Sequence, residues 1–267
     1  MEGCPLRAIV LLASTLLLAG ADLPVHGPIP ESRPDRGLDA PKTPITAPEA
    51  KAGSPAPGAA ERPDGAVSPS APEAKGPPIE TEDPAAFTRC STALKALGAE
   101  FSEIERIDDG GGCGIDRPLL VKSLGAGVSF TPPGQMRCQT ALNLSRWTQD
   151  VVIPFAKKAR PTETLTAINQ ASTYVCRNRN SASNGKISEH AHGSAVDIAA
   201  FTFKSGATLT ISPREEDSTL NGAFQRAVAS AACLYFSTVL DPGSDAAHET
   251  HLHLDTLARK GGYRYCW

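Results

Sequence analysis

The sequence predicts an α+β domain: a small antiparallel sheet, helices packed on one side of it, and disulfide staples. Three observations carry that prediction. Segments with period-two and with helical apolar spacing are intermixed through residues 85–267. Six cysteines, Cys90, Cys113, Cys138, Cys176, Cys233 and Cys266, lie in the same region, and none forms a C-x-x-C pair. Five of the six histidines fall in two short stretches, 188–197 and 248–255, which read as strand and strand-flanking loop. The sheet therefore presents whatever chemistry those histidines perform.

The chain begins with a stretch that reads as an export signal, residues 1–21. Arg7 supplies a positive start, 9–18 is apolar, and Ala19-Gly20-Ala21 is an A-x-A-like cleavage site. The apolar run is short for a membrane span, so no stable span is expected. Cleavage would remove Cys4. Residues 22–84 hold 15 of the 23 prolines and no Phe, Tyr, Trp or Cys. Such a composition buries too little apolar surface to offset its ordering entropy, and it reads as a disordered linker. The remaining 85–267 suffices for one core. A net charge of -3 with scattered basic residues argues against nucleic acid as a partner. An even cysteine number behind a signal implies three disulfides in an oxidising compartment, periplasmic or secreted. Short loops close most readily, which favours sequential pairing: Cys90–Cys113, Cys138–Cys176 and Cys233–Cys266.

Within the domain, 90–97 has helical character and Gly98 closes it. Residues 108–114 form a glycine-rich turn without the lysine of a phosphate loop. Cys138 opens a helix whose core face is Leu144, Trp147 and Val151, with Pro154 ending or kinking it. The β-branched and aromatic run 173–176 closes a strand that begins near Leu165. Arg177 and Arg179 follow, either as solvated surface or as a cationic clamp for carboxylates and oxyanions. Residues 195–203 and 208–211 read as strands. Leu220, Phe224, Ala227 and Ala231 mark a helix over 218–233, followed by an apolar β-like stretch, 234–240. In a strand, His251, His253 and Asp255 share one face while Leu252 and Leu254 point to the core.

Imidazole and carboxylate gathered in this way are ligand types for a catalytic metal, which needs three protein donors and an open position. A histidine and an aspartate from the first stretch, with a histidine from the second, would close such a triad. Ser188 lacks the partners of a serine nucleophile, and His192 reads as a loop residue. Ser188-x-His190-x-x-Gly193-x-Ala195-x-Asp197 and the distal His251-x-His253 resemble the signature of the LAS-type zinc peptidases, which include D-alanyl-D-alanine carboxypeptidases and murein endopeptidases. Over the whole of 90–266 the chain is more closely similar to the bacterial extensin-like C-terminal domain family. The matching pieces are Tyr174-x-Cys176-Arg177-x-Arg179-Asn180, Ser188-Glu189-His190-Ala191-x-Gly193-x-Ala195-x-Asp197, and the terminal His251-x-His253-Leu254-Asp255.

The resemblance implies Zn2+ held by His190, Asp197 and His253. It also implies His251 as the catalytic base or transition-state stabiliser, His248 as an accessory, and Arg177 steadying the substrate carbonyl or oxyanion. The dipeptidase branch has a glutamate where this chain has Thr250. Glu249 is one residue off, and period-two geometry turns it from the His253 face, which favours His251 as the base. The implied activity is a monomeric zinc metallopeptidase, endopeptidase or carboxypeptidase, acting on peptidoglycan peptides. The competing reading is a peptidoglycan-binding module that has kept the fold without turnover.

Overall fold

The structure, a computed structural model, describes residues 78–267. The 1–21 signal and most of the 22–84 linker lie outside the described residues. The last residues of that stretch are described, and they pack on the domain. Ile79 is buried, the Glu82 N–H donates to Asp116 Oδ2 at 3.0 Å, and Glu80 pairs with Arg137 at 2.8 Å. Asp83 then caps helix α1 (Pro84–Ala96), accepting from the Ala85 and Ala86 amides. Pro84 suits the first turn because its missing N–H would find no partner there.

Four short strands follow: β1 (Glu100–Glu103), β2 (Ile107–Gly110), β3 (Cys113–Ile115) and β4 (Leu119–Ser123). The glycine-rich segment is the bend of the β2–β3 hairpin. β5 (Ser129–Met136) leads into α2 (Cys138–Trp147), a π-helical turn at Thr148–Val152, and α3 (Ile153–Ala159). Pro154 thus kinks the helical run without ending it. It has no N–H to offer the preceding turn, and the wider turn absorbs the mismatch. Leu144, Trp147 and Val151 all face the core, and the Trp147 indole N–H donates to the Val228 carbonyl at 3.0 Å.

The second half contains β6 (Leu165–Ser172), β7 (Ala195–Phe203), β8 (Thr208–Thr210), α4 (Leu220–Ala232), β9 (Thr238–Leu240), β10 (Leu252–Asp255) and β11 (Tyr265–Cys266). The main sheet has nine strands in the order β1-β4-β5-β6-β7-β10-β9-β11, with β8 also on β7. It is larger than the small sheet the sequence predicts, and it is mixed. β5 and β6 are parallel, as are β9 and β11. The β5–β6 pair needs a crossover, and α2 and α3 provide it. Strand 165–176 stops short at Ser172, and only 238–240 of the 234–240 run pairs. α4 buries Phe224, Val228 and Ala232 and leaves Leu220 exposed, so its apolar stripe is rotated from the predicted one.

One core joins the helices to one face of the sheet. Phe87, Leu94, Leu144, Trp147, Phe224 and Val228 meet Val121, Ile168, Val196, Ile198 and Phe201. Val196 and Ile198 have even numbers and Phe201 and Phe203 odd ones, yet all four are core. A register shift explains this. Ala200 opposes Asn169 while Ile198 opposes Gln170, so one residue bulges and the alternation reverses. The same edge of β7 pairs with β10 before the bulge and with β8 after it.

Three disulfides staple the domain: Cys90–Cys138, Cys113–Cys176 and Cys233–Cys266. Only the last matches sequential closure. Doubling a loop costs about 0.6 kcal/mol, too little to select partners. Packing selects them. α1 lies against α2, which brings Cys90 to Cys138, and Cys113 meets Cys176 beyond the end of β6.

Candidate metal centre

Three elements converge on one point. The first is a 3-10 turn, Glu189–His192, between β6 and β7. Ser188 caps it through its hydroxyl, which accepts from the His190 amide at 3.4 Å. Gly193 ends it with φ +65°, and a Cβ there would lie 2.3 Å from Ile115. Both the backbone angle and the space therefore require glycine. The turn is tied to the α2 start. Arg137 donates from its backbone to Gly193 O at 2.9 Å and from Nε to His192 O at 2.9 Å, and the Thr140 hydroxyl donates to Gly193 O. His190 is 1% exposed.

The other two elements are β7 and β10. Their antiparallel register sets Asp197 directly opposite His253, with Val196 opposite Leu254 and Ile198 opposite Leu252. The aliphatic residues take the core face, so the aspartate and histidine take the other. His190 Nε2 lies 3.2 Å from Asp197 Oδ1 and 3.2 Å from His253 Nδ1, and His253 Nδ1 lies 2.8 Å from Asp197 Oδ1. Donors sharing one tetrahedral zinc, at about 2.0–2.2 Å each, stand roughly 3.3 Å apart. His190, Asp197 and His253 thus form a group able to hold a metal ion.

The outer ring atoms decide what the inner ones present. His190 Nδ1–H donates to the Thr173 carbonyl at 2.6 Å, and His253 Nε2–H points to Asp255 Oδ2 at 3.3 Å. With its outer nitrogen as donor, each ring can turn a lone pair toward Asp197 Oδ1. Three acceptors face one another with no donor between them, an arrangement that requires a cation. Without a metal the cation is a proton. Burial alone would lower the His253 pKa, but hydrogen bonds to Asp197 and Asp255, with their charges, hold it up at about 9. Burial would likewise raise Asp197. The contacts from His190 and His253 outweigh it and keep this carboxyl well below the usual carboxylate range. A divalent ion would take the place of that proton.

The group forms the floor of a cleft of about 440 Å³, whose walls include Arg177, Arg179, His248, His251, Arg259 and Tyr265. His251 Nε2 is 3.7 Å from Asp197 Oδ1. Burial lowers its pKa, and the nearby histidines outweigh part of the pull from Asp197. His251 is therefore neutral at pH 7 and able to accept a proton. His248 is buried and donates to Asp245 Oδ1 at 2.7 Å, with its ring centre 5.1 Å from that of His251 and 5.7 Å from that of His253. Arg177 lies on the wall. Arg179 pairs with Glu189 at 3.2 Å. Glu249 is exposed and does not line the cleft, as its offset from the His253 face predicts.

All six residues singled out from the sequence border this cleft: His190, Asp197 and His253 on its floor, and His248, His251 and Arg177 on its walls. Sequence reasoning missed the supporting partners. Period two puts Asp255 on the His253 face, and a carboxylate two residues beyond a histidine on one strand face is its natural partner. The Asp245 contact was legible as a carboxylate three residues before His248. The Thr173 carbonyl is backbone and has no signal in residue identity.

A mixed α+β domain with a His–Asp–His group at the base of an open cleft is thereby defined. The family model for the extensin-like protein C-terminus matches residues 88–267, and the chain belongs to that family. No curated protein and no solved structure matches it.

Proposed function

We propose that the domain is a zinc-dependent peptidase that cleaves peptide bonds in peptidoglycan stem peptides or crosslinks, in the periplasm or outside the cell. One observation carries this reading: three lone-pair donors from His190, Asp197 and His253 converge at the floor of an open cleft, with a neutral histidine beside them. The motif likeness to LAS-type zinc peptidases supports it. So do the three disulfides, which suit an oxidising compartment.

Two nitrogens and one carboxylate oxygen are a donor set zinc accepts in catalytic sites. When bound, zinc supplies Lewis acidity toward a carbonyl and lowers the pKa of water near 7. The chain's own residues do the rest. His251 accepts a proton from the attacking water and returns it to the leaving amine nitrogen. Arg177 offers a fixed positive charge on the cleft wall for the carbonyl oxygen as it gains charge, or for a substrate carboxylate. His248, held by Asp245, packs against the His251 and His253 rings and keeps both from turning.

The test combines metal analysis with digestion. The purified domain is expected to hold one zinc and to convert defined muropeptides into products identified by mass. A purified domain with no stoichiometric metal and no peptide-bond cleavage would leave the non-catalytic wall-binding module as the answer. Stoichiometric iron, which the same donor set also accepts, would redirect the chemistry altogether.

A further inference from the structure

The domain hides most of its large aromatic side chains. Trp147, Phe130, Phe201, Phe203 and Phe236 are essentially without solvent contact. Three aromatics near the end of the sequence are the opposite. Tyr263 is 61%, Tyr265 44% and Trp267 62% exposed, at alternate positions within five residues.

Their placement is fixed by β11, the last strand in the sheet order. β11 runs parallel to β9, with Tyr265 opposite Thr238 and Cys266 opposite Val239. The Tyr265 and Trp267 amides donate to Ser237 O at 2.8 Å and Val239 O at 3.0 Å. Val239 is core, and Cys266 is bonded to Cys233. Alternation then sends Tyr265 and Trp267 to the other face, shared with Thr238 and Leu240. Thr238, Leu240 and Tyr265 line the metal cleft. The strand is also pinned by Arg264, which donates to Cys233 O at 2.9 Å and Phe236 O at 2.7 Å.

These rings contribute little to the core, yet disulfide and backbone hydrogen bonds hold the β11 strand so that Tyr265 lines the cleft and Trp267 follows it on the same face. A fixed, exposed row of Tyr and Trp suits a ligand with an apolar face and a polar rim, because each ring offers an apolar body with a polar tip. A pyranose has that shape. Its axial C–H groups form one face, polarised toward a π surface, and its hydroxyls project at the edge. We propose that Tyr265 and Trp267, with Tyr263 beside them, form a sugar-stacking platform continuous with the metal cleft, and that the domain takes its substrate as peptide still attached to glycan. This rests on the peptidase reading above. A polyproline segment is the less favoured occupant, since such ligands dock in aromatic-lined grooves and this row lies on the outermost strand.

The experiment titrates the purified chain with chitotetraose, which carries linked pyranose rings and no peptide, and follows tryptophan emission and heat. Trp147 is buried, so a change reports Trp267. We expect a saturable emission shift in the wild type. Trp267→Ala should lose the shift and bind roughly tenfold more weakly by calorimetry. Trp267→Phe should restore most of the affinity, which a merely structural role would not predict. No binding at millimolar sugar, or equal affinity in Trp267→Ala, would overturn the proposal. So would a saturable shift produced by a synthetic peptide of residues 41–57 and not by the sugar. The readout involves neither zinc nor cleavage, so a failed digestion removes the glycan-linked substrate and leaves the sugar platform standing, while a failed titration leaves the peptidase reading untouched.

Discussion

The two faces of the β7–β10 pair obey different physics within one ladder. On one face Val196, Ile198, Leu252 and Leu254 are aliphatic, fully buried and held by area alone. On the other, Asp197 and Asp255 are buried and His253 is half-buried, and each depends on particular partners: Asp197 on His190 and His253, and Asp255 on His253 and the Leu257 amide. The aliphatic face tolerates approximate fit, whereas the polar face requires the right atom in the right place. The first sets the second. Burying Leu252 and Leu254 fixes which residues face the core, and the observed pairing then brings His253 to Asp197. A slip by one residue would send all of them to the wrong sides.

The sharpest way to break the comparison is Asp197→Ala. It should abolish metal binding and turnover, measured by metal analysis and muropeptide digestion, while the metal-free domain still unfolds cooperatively. Full metal occupancy in that variant would remove Asp197 from the centre.

His251→Ala comes next. A positioned base contributes about 10²–10⁴-fold, so turnover should fall by that much with metal content unchanged. A larger loss in Glu249→Ala would transfer the role to a residue that does not line the cleft.

Leu254→Ala probes the other face. A buried leucine truncation costs roughly 2–5 kcal/mol. Urea unfolding with disulfides intact should show that loss, with one metal still bound at saturation. Equal unfolding curves for this variant and the wild type would mean that burial of Leu254 does not hold this strand in place.

Asp255→Asn is the mildest change. Outer partners of metal-bound histidines are typically worth about 10–100-fold in metal affinity. The sign with pH follows from His253. Metal must displace its proton, so apparent affinity should rise with pH until about 9. Removing the Asp255 charge should end that rise at a lower pH. Competition with a chelator across pH measures both effects, and identical profiles would exclude Asp255 from tuning the site.

What was legible in the sequence followed local rules. Period two delimited 195–203, which is β7, and helical spacing found α2 with its core face. The histidine stretches marked the place because chemistry restricts which side chains can bind a metal, and the motif likeness singled out His190, Asp197 and His253 within them. What was not legible depends on distant partners. β1 is mostly exposed and shows no clean alternation, so the sheet looked small. The bulge that reverses β7 is invisible without Asn169 and Gln170 across from it. The disulfide partners followed helix packing that loop length could not indicate.

The crossed disulfides carry a consequence for how the molecule is made. Cys90–Cys138 and Cys113–Cys176 overlap along the chain. If the chain is threaded N-terminus first into an oxidising space, Cys113 is the first thiol Cys90 meets, and it is the wrong one. The proper partner of Cys90 arrives only with Cys138, and that of Cys113 only with Cys176. A Cys90–Cys113 bond made on the way would have to be undone by thiol exchange, a reshuffling that takes seconds to hours depending on the oxidant and on an isomerase.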